Sequence, residues 1–188
     1  QVRAFSTAQV ALMAYTQIAA LTTTQVRAMS NDQLQALSAG QINAIEQADL
    51  QALQTSQLGA FSATQVQFLS SAQVQSLGSA QVRALGTGQL GAVLNNLSIT
   101  QIAALGTAQV RGLTTNQLQS LTNAQIGSLT STQLRALDQT QLTVVRDLAA
   151  AANIGNLSID QVTGLSNGAL SGLTSRQLNA LSTDQIQA

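Results

Sequence analysis

The sequence predicts an all-α solenoid of very short helices, with one helix in each eight-residue repeat. Three observations support this prediction. Glutamine recurs every eight residues along most of the 188-residue chain. An aliphatic residue directly follows each of these positions, and a Ser or Thr usually precedes it by three residues, which is the spacing of a helix capping box. A fixed short period of this kind indicates a repeat array.

The repeat unit is an octad with the pattern Leu-Ser/Thr-x-x-Gln-Leu/Ile/Val-x-Ala. The octads form a single array in three blocks, residues 1–92, 98–141 and 158–188, with interruptions at about 93–97 and 142–157. We call the Gln place of each octad its lattice position. Gln occupies 20 of the 22 lattice positions, and the exceptions are Asp49 and Ala169.

One continuous helix cannot accommodate the octads. At about 3.6 residues per turn, an eight-residue period drifts by about 80° per repeat, so the apolar stripe would soon face water. In a strand, apolar residues spaced alternately three and five apart would point to opposite faces. The helix must therefore break once in every octad.

The capping box predicts where each helix begins. In this motif the Ser or Thr oxygen accepts from the third helical N–H, and the Gln side chain reaches back to the cap. Of 21 cap positions, 14 are Ser or Thr and one is Asp138. The Leu before the cap and the aliphatic residue after the Gln match the hydrophobic staple, so we expect helices of about six residues. The other six cap positions fall into two groups. Three are glycines, which are tolerated at a cap: Gly78, Gly86 and Gly106. The other three are poor caps: Ala14, Glu46 and Gln54.

Helices this short are unstable alone, so the octads must be stabilised by stacking. Each octad offers two large aliphatic side chains and a small residue, which allows neighbouring helices to approach closely and to bury one continuous narrow core. The sequence leaves the number of octads per coil and the hand of the coil open. Two octads per coil, with layers about 8–10 Å apart, would give a rod on the order of 100 Å long.

The two interruptions are related, because both restart the octads with Asn-Leu-Ser-Ile, at residues 96–99 and 156–159. The second follows an Ala-rich run from Gln141 to Asn153, where Asn153 and Gly155 indicate a helix of about three turns with a C-terminal stop. We interpret the interruptions as longer helices that change the course of the array or make a contact.

Composition excludes several classes of function. Only 7% of residues are charged, against roughly 25% in typical proteins, and the net charge is zero, so neither nucleic acid nor an anionic membrane is expected as a partner. Cys and His are absent, which removes thiolate metal sites and the commonest general base. No apolar run approaches the roughly 20 residues of a membrane span, and the start at Gln1 predicts that any targeting segment has been removed.

We predict no catalytic, cofactor-binding or metal-binding residues, and therefore no enzyme. The acidic residues are too scattered for a catalytic pair, and only Glu46 and Asp49 could meet on one helical face. Calcium-binding repeats rich in Gly and Asp are absent. The acidic residues are Asp32, Glu46, Asp49, Asp138, Asp147, Asp160 and Asp184.

Three further patterns have a simpler interpretation and a functional one. Five arginines lie two residues past a lattice position, where we favour plain solvent exposure over an aligned binding face. Asn96-Leu97-Ser98 and Asn156-Leu157-Ser158 match the glycosylation acceptor, but we favour their interpretation as a helix end, a staple and a cap. The Gln column is either a hydrogen-bonded ladder along the array or only the capping-box partner. The arginines are Arg3, Arg27, Arg83, Arg111 and Arg135.

Runs such as LTTTQVRAMSNDQLQAL and LSTDQIQA resemble the octad arrays of very large, repetitive bacterial surface or secreted proteins. The resemblance implies an extracellular, adhesin-like or filament-like role, in which the partners are copies of the chain stacked end to end and other surface proteins. The expected function is a self-associating filament subunit or an adhesin stalk segment. The alternative is an intracellular solenoid scaffold that binds protein partners along a groove.

Overall fold

The computed structural model describes residues 2–150, 159–163, 170–171, 173 and 175–187. Regular structure in these ranges is helical throughout. The predicted helix stop at Asn153 and Gly155, the Asn156-Leu157-Ser158 motif and Ala169 lie outside the described residues. The chain divides into two compact units, residues 1–97 and 98–188.

The first unit follows the octads with one short helix each. Most of its α-helices have four to six residues, and α11 has seven residues before it continues into a turn of 3-10 helix at the first interruption. The elements described in this unit are η1 Val2–Ala4, α1 Thr7–Ala11, α2 Tyr15–Ala19, α3 Thr23–Ala28, α4 Asn31–Gln35, α5 Ala39–Asn43, α6 Gln47–Ala52, α7 Thr55–Ala60, α8 Ala63–Val66, α9 Ser71–Ser76, α10 Ser79–Ala84, α11 Thr87–Val93 and η2 Leu94–Asn96.

The predicted capping box sets the start of each helix. At α4, Ser30 is extended, with φ −75° and ψ 162°, and its Oγ accepts from the backbone N–H of Gln33 at 3.2 Å. The Gln33 Oε1 in turn accepts from the backbone N–H of Ser30 at 2.9 Å. Where the cap is Ala14, Gln54 or a glycine, the Oε1 of the lattice Gln still accepts from the backbone N–H of the cap residue. Glu46 makes neither half of the box with its helix α6.

Three octads form one coil, because each helix packs on the helix three places further along the chain. Thus α3 contacts η1 and α6, α4 contacts α1 and α7, and α6 contacts α9. Two octads per coil, the case considered from the sequence, is therefore wrong for this unit. A two-helix coil needs a full reversal at every corner, and such reversals commonly use a residue with positive φ. No described residue has a positive φ, and the corners consist of extended residues such as Leu53 and Gln54.

The core is a narrow column of aliphatic side chains inside the coils. In the first unit the residue after each lattice position is buried, as at Leu50, Leu58 and Leu90, which are 0% exposed, whereas Leu170, Leu178 and Ile186 in the second unit are exposed. The staple residue is also buried from the second coil of the first unit onward, as at Leu53 and Leu77, whereas Phe5 in the first coil is exposed. Both apolar positions of the octad thus face inward, as the sequence predicts.

The second unit repeats the three-octad arrangement in the residues that the structure describes. Here α12 contacts α15, α13 contacts α16, and α14 contacts α17. Helix α17 has twelve residues, which confirms the longer helix predicted at the second interruption. The elements are α12 Ile99–Ala104, α13 Thr107–Arg111, α14 Thr115–Gln119, α15 Asn123–Gly127, α16 Ser131–Ala136, α17 Gln139–Ala150, α18 Ile159–Thr163, α19 Ser175–Leu178 and α20 Thr183–Gln187.

In the described ranges, no helix is both long enough and apolar enough to cross a membrane.

A matched pair of leucines tests the assignment of the core. Leu58 is 0% exposed, whereas Leu12, at the usual small-residue place of its octad, is 84% exposed. We expect L58A to lower the free energy of unfolding by about 2–5 kcal/mol, because it leaves a cavity between coils. The same truncation in L12A should change the free energy of unfolding by about 0.5 kcal/mol or less. Urea unfolding followed by circular dichroism measures both, and equal losses would contradict the assignment.

Candidate functional site: the glutamine ladder

The lattice glutamine joins two successive coils through its side-chain amide. In α8, Gln65 Oε1 accepts from the backbone N–H of Ser62, the cap of its own helix, at 3.0 Å. Its Nε2 donates to the carbonyl oxygens of Leu34, Gln35 and Leu37 in the coil below, at 3.1, 2.9 and 3.0 Å. These carbonyls lie in the last turn of α4 and in the corner after it, where helices leave carbonyl groups without intrahelical partners, although that of Leu34 also accepts from the backbone N–H of Leu37 at 3.3 Å. One amide therefore caps the start of one helix and the end of another.

This contact recurs with a fixed register. The Nε2 donors reach carbonyls 31, 30 or 28 residues earlier in the chain, as Gln81 does to Leu50, Gln51 and Leu53. We call this set of contacts the glutamine ladder. Both interpretations left open by the sequence hold, because each ladder Gln is a capping-box partner and also a link between coils. The ladder donors described are Gln33, Gln41, Gln57, Gln65, Gln73, Gln81 and Gln89 in the first unit, and Gln133 and Gln141 in the second.

The ladder amides are buried, so the loss of their hydrogen bonds would lower the free energy of unfolding. Gln41 is 1% exposed and Gln133 is 2% exposed. A made hydrogen bond contributes about 0.5–1.5 kcal/mol net, whereas a buried group left without its partner costs about 1–3 kcal/mol. Loss of one ladder amide would strand several backbone groups at once, so the ladder constrains which side chains each octad tolerates at this position.

A second set of contacts joins the coils on their outer surface. In three octads the residue two places past the lattice position donates to a carbonyl 25 residues later: Arg3 Nε to Ala28 at 2.8 Å, Gln35 Nε2 to Ala60 at 3.0 Å and Asn43 Nδ2 to Phe68 at 3.4 Å. These side chains are exposed, so each contact contributes little. They nevertheless align the coils in the same register as the ladder.

The five arginines at this place are exposed, as the preferred interpretation predicts. Arg3 and Arg27 are 24 residues apart and lie in successive coils of the first unit, and Arg111 and Arg135 are related in the same way in the second. Arg83 does not share a column with Arg3, because it is ten octads away and ten is not a multiple of three.

Asp49 breaks the ladder in the first unit. It occupies the lattice position of α6 and is 3% exposed. One of its oxygens, Oδ2, is buried without a hydrogen-bond partner. Burial raises the pKa of Asp49, a hydrogen bond from Thr23 in the coil below lowers it, and the nearby Glu46 carboxylate raises it. Glu46 and Asp49 thus lie near enough at the start of α6 for their charges to interact.

The first coil presents ladder glutamines that have no coil beneath them in the structure. Gln9 and Gln17 are exposed and Gln25 is half-buried. Their Oε1 atoms accept from the cap N–H groups as elsewhere, whereas their Nε2 atoms make no hydrogen bond within the described residues. A cavity of about 310 Å³ lies on this face, lined by Gln9, Gln17 and the side chains of Phe5, Leu12 and Met13.

Three of the other acidic residues lie at helix starts. Asp32 is in the first turn of α4 and Asp184 is in the first turn of α20, where the helix dipole favours a negative charge. Asp138 caps α17, since its Oδ1 accepts from the backbone N–H of Gln141 at 2.8 Å. Among the described residues, no group of three or more acidic, His or Cys side chains is placed to hold a metal ion.

Comparison with known families finds one similarity. The ALTTAQ repeat matches residues 15–44, 42–79, 69–95 and 94–123, which together cover more than half of the chain. Residues 20–25, ALTTTQ, and residues 104–109, ALGTAQ, each differ from those six letters at one place. In the structure these six residues comprise the small residue, the staple, the cap and the ladder glutamine. Comparison with curated proteins finds no match.

The donor role of the ladder amide predicts a position-dependent effect of Gln→Glu. In Q81E one carboxylate oxygen still accepts from Gly78, but the other replaces a donor 2.8 Å from the carbonyl of Leu50. We expect the free energy of unfolding to fall by about 1–3 kcal/mol at pH 7 and to recover in acid, where the carboxyl regains a proton. Q9E is the matched control, because Gln9 Nε2 has no partner to lose, and its free energy of unfolding should change by about 0.5 kcal/mol or less. Urea unfolding at pH 7 and pH 4 measures both, and equal effects would refute the donor role.

Proposed function

Because the chain belongs to the ALTTAQ repeat family, we propose that it is a non-enzymatic structural protein whose coils of octads stack into longer assemblies. The finer proposal is an extracellular filament subunit or a stalk segment of an adhesin. The observation that supports it is the ladder, because the interaction that joins coils within a unit recurs in most of the described octads and is not specific to one place in the chain.

The ladder face of a coil is the surface on which this proposal depends. Gln9, Gln17 and Gln25 hold three amide donors in the arrangement that binds a coil elsewhere in the first unit. In the next coil, the residues above Gln9 and Gln17 meet two or three carbonyl oxygens, as Gln41 meets those of Val10 and Met13, whereas the residue above Gln25 is Asp49. The surface complementary to the first coil is therefore the carbonyl-bearing face of another coil of octads.

Apolar side chains on the same coil add to this complementarity. Leu12 is 84% exposed and Phe5 is 43% exposed, and both line the cavity with Gln9 and Gln17. Clustered exposed apolar groups rimmed by polar ones are typical of protein–protein contact sites. A second copy of the chain supplies octads of matching chemistry, and such a head-to-tail contact is heterologous, so it propagates into fibres.

Composition supports a passive, exported role. Cys, His and Lys are absent and the net charge is zero, so the chain carries few groups suited to catalysis or to electrostatic capture of partners. Uniform, uncharged octads are suited to repetition along a filament or stalk.

Sedimentation velocity and electron microscopy across a concentration series test the proposal. We expect the wild-type chain to grow from single particles to fibres as concentration rises. The triple variant Q9E/Q17E/Q25E keeps the three cap acceptors but turns the donors into carboxylates facing carbonyls, so it should need at least about tenfold more protein to associate, a loss of about 1.4 kcal/mol.

The control variant Q51E/Q67E/Q119E adds the same charge at exposed glutamines outside the lattice. It should associate like the wild type, and circular dichroism should show unchanged helix content in both triple variants. Single particles of wild type at every concentration would refute self-association and leave the alternative of a partner-binding scaffold. Equal loss in both triple variants would show that the ladder face is not the contact.

A further inference from the structure

Asp49 is the described lattice residue that cannot act as a ladder amide. Gln at this place would donate to carbonyls 31, 30 and 28 residues earlier, which for residue 49 are those of Ile18, Ala19 and Leu21 in α2 and its following corner. A carboxylate accepts hydrogen bonds but donates none. An ionised Asp49 would therefore bring a negative oxygen toward the acceptor end of α2, in the interior of the coil stack.

The contacts of Asp49 agree with a missing donor. Its side chain hydrogen-bonds with Thr23 at the start of α3, whereas Oδ2 is buried and has no partner. Side-chain oxygens with neither water nor a partner are rare in folded proteins, because the desolvation cost is not offset. The helix start of α6 also lacks its capping box, so Asp49 performs neither of the two functions of a ladder Gln.

The charges around Asp49 do not favour its ionised form. Glu46, on the same helix start, is the nearest titratable group and repels a second negative charge. Helix α3 below carries Arg27, whose side chain is exposed, and α2 carries the exposed Tyr15. Helix α9 above and α5 beside it carry no charged residue.

We propose that Asp49 serves in the ladder as a neutral carboxylic acid, whose O–H takes the place of the Gln amide as donor to the carbonyls of α2. The contact between α6 and the coil below is then complete in acid and loses its donor as the carboxyl ionises. This makes the octad Glu46–Leu53 a proton-dependent joint in the stack. The inference does not depend on the proposed function.

The direction of the pH dependence follows from linkage. Burial and Glu46 raise the pKa of Asp49 above its unfolded value of about 3.9, so the folded state holds this proton more tightly than the unfolded state. The stabilisation is fully present below the unfolded pKa and is lost as pH rises through the folded pKa. Within this window the unfolding constant should rise by up to about tenfold per pH unit.

Comparison of wild type with D49N and D49Q isolates this proton from the other acidic residues. D49N has the same shape and a permanent donor, and D49Q restores the lattice residue. We expect the ratio of the wild-type unfolding constant to that of D49N to be nearly constant below about pH 4 and to increase between pH 4 and neutral pH. D49Q should follow D49N, without an Asp49-dependent pH effect, and the carbon-13 shift of the Asp49 carboxyl should titrate above the ordinary range of aspartate in folded wild type.

Two results would overturn the proposal. A pH-independent ratio, or a carboxyl shift that titrates near the ordinary pKa, would mean that the folded chain holds Asp49 ionised. The second result would be that calcium or sodium chloride raises the stability of the wild type at pH 7 to that of D49N, whereas choline chloride at equal ionic strength does not. A metal cation would then take the place of the proton. E46Q is the control for charge, and it should lower the titration point of Asp49 without abolishing the pH dependence.

Discussion

The structure depends on one side-chain amide with two hydrogen-bonding ends. A helix of about six residues has nearly all of its backbone groups within the first or last turn, so few of them are paired internally. The ladder glutamine supplies an acceptor to the start of its own helix and a donor to the end of a helix one coil below. Gln65 does both with distances between 2.9 and 3.1 Å. Few other side chains can replace it, since Glu lacks the donor and Leu lacks both.

The buried aliphatic side chains and the buried ladder amides stabilise each other's positions. The residue after each ladder Gln, such as Leu58 or Leu90, is fully buried in the core, and this holds the amide against the carbonyls of the coil below. Because most described octads present the same two groups, one interaction joins successive coils within each unit.

The sequence predicts local features well because their signals are local. The Ser30 cap, the Gln33 partner and the staple fall within one octad, and the structure confirms the helix they predict. The number of octads per coil depends on the angle at each corner and on partners 28 to 31 residues away, which no single octad encodes. The pattern shows Asp49 as an exception beside Glu46, but only the three-octad coil places its carboxyl in the interior, facing α2.

The most direct test of the account is a distance across successive coils. The chain has no cysteine, so Q51C/Q75C and Q51C/Q67C can each be labelled with two nitroxides at exposed positions. Coils of three octads place residues 51 and 75 on neighbouring helices about 8–10 Å apart, so the electron paramagnetic resonance spectrum of Q51C/Q75C should be strongly broadened. The spectrum of Q51C/Q67C should be much less broadened. The opposite order would mean two octads per coil and would contradict the ladder register.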